Sequence, residues 1–505
     1  KLFMTEKITL CFLTLPIELI YRVLDHLDEL TILLSIRNVC QRFNAIIDTY
    51  YRYQTFTSCN FAYKQLNYQI LENLTNALQT NTILKTLTFN NNQIGDENIQ
   101  YIANILRNNS TLTTLNIYSN QVGPAGVFYL TNALQNNETL TTLDLFDNHI
   151  GNEGAKYFAD ILKNNNTLLT LNLPSNNIDD EGIEYLAKIL QSNTTLTKLD
   201  LHQNEIGFQG AQYISDALQC NSTLTILNLN CNRIENQGAQ YLGIALQNNK
   251  TLTTLNLQAN NIDNQGVQYL ANALKTNMTL MTLDLQMNII SSNGAQYLAD
   301  ALQNNTTITI VDLQCNRIGD EGVKHLANAL QSNRIIVTLN FRSNLVCDDG
   351  VTYLASSLRI NTTLSKLVLS VNQIGDKGIE SLSNALQTNM TLITLNLSKN
   401  QIGSQGALHL ANGLEINKSL ATLNLSDNHI GDEGSQALAN ALQINTTLKI
   451  LDLGTNGISD RGAQYLVDAL QVNTTLTTFD FTCNKITYQM VQYLTKILER
   501  NSSYK

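Results

Sequence analysis

Six histidines, eight cysteines and a set of Asp–Glu pairs are the residues through which this chain could do chemistry. The histidines, among them His149, His202, His325 and His409, are scattered without the spacing that metal ligation needs. The cysteines are Cys11, Cys40, Cys59, Cys220, Cys231, Cys315, Cys347 and Cys483. They form no C-x-x-C, so they read as free thiols in a reducing compartment. Cys231, Cys315 and Cys483 share one position of a repeat, but not in neighbouring copies, so stacking does not bring them within bonding range. The carboxylate pairs Asp320–Glu321 and Asp432–Glu433 sit in an I-G-D-E-G turn, where acids suit a helix start. The chain has no G-x-x-x-x-G-K phosphate loop and no G-x-S-x-G nucleophile elbow. We therefore expect no catalytic set, no metal and no cofactor: the chain is read as a binding protein and not an enzyme.

What must position any site is a repeat. Asn recurs every 28 residues from Asn92 through Asn120 and Asn148 to Asn484, fifteen times. Aliphatic or Phe residues stand eight, five and three positions ahead of it, as in Leu140, Leu143, Leu145 and Asn148. A buried Asn can donate and accept where the chain leaves a strand, and an unpaired backbone group there would cost about 1–3 kcal/mol. A Gly follows six residues after the Asn in all repeats but two, where Asn98 and Met490 stand. That Gly suits a tight entry turn and close helix-to-strand approach. Apolar residues then recur at helical spacing, as in Ala211, Ile214, Ala217 and Leu218. Asn-x-Thr-Leu ends the helix and opens the next strand. Triplets such as Asn193-Thr194-Thr195 belong to this joint and are not expected to carry glycans.

The motif L-x-x-L-x-L-x-x-N resembles the leucine-rich repeat signature. The phrases L-x-x-N-x-I-G-D-E-G-A and A-L-Q-x-N-T-T-L are similar to repeats of the ribonuclease-inhibitor type, in NOD-like receptors and Ran GTPase-activating proteins. The resemblance covers about residues 80–500. It implies an α/β solenoid, a right-handed horseshoe with parallel strands on the concave face and helices on the convex face. Fifteen strands at about 4.8 Å would span roughly 67 Å, enough for a protein partner. Fold alone does not supply function.

Leu15 to Asp48 breaks the period. Leu15-Pro16-x-Glu18-Leu19 opens a helix with Ile20, Val23, Leu24 and Leu27 on one face, and Val39-Cys40-x-Arg42-Phe43 closes a second run. This small all-α segment resembles an F-box, with Phe43 where many F-boxes have Trp. The resemblance implies docking on a Skp-type adaptor of a cullin–RING ubiquitin ligase. Leu15, Pro16, Leu19, Ile20, Leu24 and Leu27 would face the adaptor, while Val39 and Phe43 help hold the helices together. A terminal cap for the solenoid is the other reading of the segment. The domain plan is a tail at 1–14, the F-box-like module at 15–50, a degenerate repeat at 51–80 and fifteen repeats at 81–505.

On the concave face, the position four before the ladder Asn is Asn or Asp in thirteen repeats of fifteen, with Thr88 and Val368 the exceptions. It reads as a structural strip. The position two before varies, running through Tyr118, Phe146, Pro174 and His202 to Arg342. Tyr118, Asp144, Phe146, Asp147, His149, His202 and Arg342 are the candidate partner-binding residues. Tyr101 and its equivalents nine past the Asn read as packing between helices.

The charge is −10, from 31 basic and 41 acidic residues, which disfavours nucleic acid as partner. No apolar window is long enough for a membrane span. The opening KLFMTEKITLCFLTLP lacks a signal-peptide pattern, and a true start upstream or at Met4 is expected. Three functions stay open: substrate receptor of a cullin–RING ligase in the cytoplasm or nucleus, a stand-alone repeat interaction or sensing protein, and a Ran-type GTPase activator.

Overall fold

The computed structural model describes residues 16–27, 46, 57–78 and 81–503. The chain divides into two compact units, residues 1–228 and 229–505. Each is built from the same turn: a three-residue strand, a loop, and a helix of 11 to 16 residues. The strand is this short because only Thr-Leu-Asn or its like runs straight. Its central Leu is buried and its two neighbours are half-exposed, as in Thr142–Asp144.

In the first unit the strands are β1 (Ser58–Asn60), β2 (Thr86–Thr88), β3 (Thr114–Asn116), β4 (Thr142–Asp144), β5 (Thr170–Asn172), β6 (Lys198–Asp200) and β7 (Ile226–Asn228). They pair in parallel in chain order, and each register step is one repeat, as in Leu143↔Leu171. β1 pairs in the same register, Cys59↔Leu87. This turn therefore precedes the first ladder Asn. Lys64 holds the Asn position, and its backbone N–H donates to Asn92 Oδ1 at 2.8 Å. Ahead of it lies α1 (Ile17–Asp25), and between β1 and β2 lies α2 (Tyr68–Leu78). The second unit carries nine strands, Thr254–Asn256 to Thr478–Asp480, again parallel and in register.

The Leu and Ile columns of both units are almost fully buried, and so are the helix residues Ala211, Ile214, Ala217 and Leu218. Three polar ladders run beside them. The strand-exit Asn is the first. Asn148 Oδ1 accepts from Asn120 N at 3.0 Å and Val122 N at 2.9 Å, and its Nδ2 donates to the carbonyls of Ile117, Leu145 and Phe146. The second is the Asn of the helix-to-strand joint. Asn417 Nδ2 donates to Leu386 O at 2.7 Å and Asn389 O at 2.9 Å, while its Oδ1 accepts from Ser419 N and Leu420 N. These are the Asn of the Asn-x-Thr triplets, and their amides are buried and engaged.

The third ladder extends one expectation and corrects another: the acids of the I-G-D-E-G turn do stand in the first turn of their own helix, as Asp320 and Glu321 do. Asp at the helix start serves the following turn: Asp96 Oδ1 accepts from Gly123 N at 2.6 Å and Gly126 N at 3.0 Å. The same holds for Asp320 toward Cys347 N and Gly350 N. These carboxylates thus cap the neighbouring helix, a favourable place for negative charge. The Gly six past the ladder Asn lies inside the first helical turn and not in a tight entry turn. A Cβ on Gly210 would stand 2.6 Å from Asp180 Oδ1, so the Gly is needed for close approach to the preceding helix and its carboxylate. The left-handed backbone falls instead on the residue just before each ladder Asn, as at Asp147, φ 53°, and Cys231, φ 52°.

The tyrosine column lies on the helical side. Phe128 packs edge-on against Tyr157 at 5.5 Å, and Lys324 sits 5.4 Å over Tyr353 on the next helix. Replacing Asn148 by Ala leaves two N–H groups and three carbonyls without it. The expected loss is about 1–3 kcal/mol, read from the urea-unfolding midpoint; an unchanged midpoint would show that water replaces the amide.

Candidate functional site

The strand face of the first unit carries a cluster of rings. Tyr118 and Phe146 meet edge to face at 6.0 Å. Phe146 also stacks on His202 at 5.8 Å and 26°. Those two residues stand two turns apart, and the residue between them, Pro174, is buried. Its low profile lets the two larger rings lean together over it. Each ring is held from below. Asn90 Oδ1 accepts from Tyr118 N at 3.0 Å, and Asp144 Oδ1 accepts from Phe146 N at 3.0 Å.

His202 is held twice by Asp200, whose Oδ1 lies 3.2 Å from its backbone N and 2.7 Å from its Nδ1. Asn228 Nδ2 donates to Asp200 Oδ2 at 3.1 Å. Burial pushes the Asp200 carboxyl up, but the His202 and Asn228 hydrogen bonds outweigh it and hold the group below its ordinary value. In several turns the Asn or Asp four before the ladder supports the variable column, its Oδ1 accepting the N–H two residues on, as at Asp144, Asp200, Asp284 and Asn340; Tyr118 N donates to Asn90 instead, and Pro174 has no N–H to give. Asp144 is a positioning residue of this kind.

Beside the rings an open cleft of about 530 Å³ is lined by Tyr63, Gln65, Asn91, Gln93, Ser119, Gln121, Asp147 and His149. These are the residues immediately before and after the ladder position on four consecutive turns. Asp147 accepts from Ser119 Oγ. Asp147 and His149 also line a second cleft of about 260 Å³ with Ser175, Asn177, Gln203 and Glu205, so they form the ridge between the two. The structure thus brings Tyr118, Phe146 and His202 together, sets Asp144 beneath and places Asp147 and His149 on the rim. Arg342 belongs to the second unit, half-buried, with its N–H held by Asn340. Sequence reasoning missed the cleft's amide residues. The columns flanking the ladder Asn were the signal for Asn91, Gln93 and Gln121, whereas Tyr63 and Gln65 lie in a turn without the Asn.

In α1, Pro16 caps the helix from outside, its carbonyl accepting from Leu19 N and Ile20 N. The structure divides the expected adaptor face. Ile20 and Leu24 are each 1% exposed, so they are buried and do not lie on the open face of the helix. Leu19 is 44% exposed, Pro16 and Ile17 are exposed with it, and Leu27 is half-buried. Leu15, Val39 and Phe43 lie outside the described residues.

On the strand face of the second unit, Asp284 and Asp312 stand side by side in register. Burial, opposed by hydrogen bonds from Gln286 and aided by the Asp312 charge, pushes Asp284 up to about 6. Asp312 is also raised, by burial first. Among the described residues, no group of three His, Cys, Asp or Glu could hold a metal, and no helix is long and apolar enough to cross a membrane.

The family model described as Leucine Rich repeat matches fourteen segments, from 80–103 to 472–489. They cover more than half of the chain, which belongs to the leucine-rich-repeat family. Residues 12–55 match the F-box domain model. No curated protein matches the chain. Among solved structures it is similar to the leiomodin-1 actin-binding site 2, at 22% identity over 31% of this chain and 90% of that one, TM-score 0.27. It is also similar to an internalin from Listeria monocytogenes strain 4b F2365, at 22% identity over 67% of this chain and 87% of that one, TM-score 0.43.

Because the folded-state value of Asp284 is raised, its ionisation works against folding: the favourable state is complete below the ordinary carboxylate value and is lost as pH rises through about 6. Asp284→Asn, an amide that seven other ladder repeats carry at this position, keeps the support for the Gln286 N–H. It is expected to raise stability at pH 7.5 by about 1 kcal/mol and by less at pH 4.5. Equal effects in urea titrations at the two pH values would contradict the assignment.

Proposed function

We propose that this chain is the substrate-recognition subunit of a cullin–RING ubiquitin ligase. The F-box segment docks a Skp-type adaptor, and the strand face of the first repeat unit binds the protein substrate. One observation carries the reading: a single chain joins an F-box match at 12–55 to a repeat array whose first unit bears an apolar ring cluster with a polar rim. Partner recognition of this kind rests on a few aromatic anchors. Tyr118 and Phe146 supply stacking area, the Asp200-held His202 supplies a ring edge, and the amides of the cleft offer donors and acceptors. The chain itself binds and positions, with catalysis left to the ligase, and the reading places it in the cytoplasm or nucleus.

On the adaptor side, the exposed residues Pro16, Ile17 and Leu19 carry the contact, with Leu27 at its edge. Leu15→Asp together with Leu19→Asp is expected to abolish co-purification with a Skp-type adaptor while the unfolding midpoint stays within about 0.5 kcal/mol. An unmodified chain that retains no adaptor overturns the ligase reading and leaves a stand-alone repeat interaction protein. On the substrate side, Tyr118→Ala with Phe146→Ala is expected to weaken the native partner at least about tenfold, some 1.4 kcal/mol, in calorimetric titration. Unchanged affinity removes the ring cluster from the site.

A further inference from the structure

The joints between helix and strand hold a second surface, in the second unit and away from the strand face. The residue just before the joint Asn is polar in nine consecutive repeats, from Asn108 to Ser332, always Asn, Ser, Cys or Thr. It then becomes Ile360, Thr388, Ile416, Ile444 and Val472. Ile360 is 52% exposed, Ile416 50%, Ile444 56% and Val472 65%. Met390 and Ile393, on the joint between Ile360 and Ile416, are exposed to a similar degree.

These residues are contiguous for a structural reason. Each joint Asn donates to the backbone carbonyl of the joint before it: Asn389 to Asn361 O at 3.3 Å, Asn417 to Asn389 O at 2.9 Å, Asn445 to Asn417 O at 3.3 Å and Asn473 to Asn445 O at 2.9 Å. The apolar side chains flank successive rungs of that ladder and so form a row. A single exposed Ile is ordinary, but a row of them is not. Nor does the row serve the fold: the nine polar predecessors build the same joint.

The charge along the row is opposite to that of the chain. At the joints between 359 and 449 stand Arg359, Lys418 and Lys449, all exposed, against one acid, Glu415, in a protein of net charge −10. None of these three cations lies within ion-pair distance of a carboxylate among the described residues. Exposed Thr362, Thr446 and Thr474 sit between the apolar groups and offer hydrogen bonds to a peptide backbone, which a hydrocarbon surface would not use.

We propose that this row is a docking strip for an acidic, amphipathic protein segment, its apolar side chains set on Ile416, Ile444 and Val472 and its carboxylates on Lys418 and Lys449. It is separate from the ring cluster and does not rest on the ligase reading. The test uses the full chain and a fluorescein-labelled peptide carrying Leu or Phe every three to four residues with Glu between them. Fluorescence anisotropy is expected to show binding that weakens at least about tenfold in I416S/I444S/V472S and in K418E/K449E, and that falls with added salt. Tyr118→Ala with Phe146→Ala is expected to leave it unchanged, which separates this strip from the substrate face. The substituted side chains are exposed, and an unaltered unfolding midpoint verifies the fold. The proposal is overturned if the peptide does not bind, if the triple Ser variant binds it as tightly, if a peptide with Lys in place of Glu binds equally well, or if only phosphatidylserine vesicles bind.

Discussion

A 28-residue turn buries more backbone than its own strand can satisfy, and the protein's structure depends on how that debt is met. Each strand is three residues long, so its ladder bonds end almost at once. The exit loop, the helix start and the joint all carry N–H and C=O groups into the interior. Side-chain amides and carboxylates of neighbouring turns supply the partners: Asn148 at the exit, Asp96 at the helix start, Asn417 at the joint. Because each supply crosses a repeat boundary, no turn is complete alone, and stability is shared between neighbours. The same logic explains why the position of an amide, once set, is copied with so little change.

Conservation of the ladder along the chain also defines where variation is tolerated. The column two before the exit Asn lies over a strip of Asn and Asp that holds its backbone in many turns, under side chains as different as Phe146, His202 and Arg342. Tyr118, Phe146, Pro174 and His202 differ from one another, yet their peptide groups follow one path. The scaffold thus separates the task of holding the chain from the task of contacting a partner. The residue ahead of the joint Asn has the same freedom, used differently: polar through Ser332, then Ile or Val in four of the five joints from Ile360 to Val472.

Much of the fold was legible because its rules are local and repeated. The spacing of Leu140, Leu143, Leu145 and Asn148 gave strand, turn and helix without any long-range information. Less of the site was legible. The Gly column suggested a tight turn, but the left-handed residues are Asp147, Cys231 and their equivalents, types chosen by no obvious propensity. The Asp of I-G-D-E-G was legible as an acid at a helix start, but not that its carboxylate caps the next helix. In the N-terminal segment the F-box resemblance grouped Ile20 and Leu24 with Leu19 on one adaptor face, whereas burial separates them.

The sequence by itself determined the repeat, its length, the class of each element and the membership of each core column. These follow from period, side-chain shape and hydrogen-bonding capacity, all readable one turn at a time. Only the tertiary structure decided which side chains meet across turns. Phe146 reaches His202 over Pro174, Asp147 and His149 become the ridge between two clefts, and Asp284 is raised by burial and by the charge of Asp312. Those outcomes depend on side-chain size, rotamer and solvent access in neighbouring turns at once, which a linear pattern does not encode.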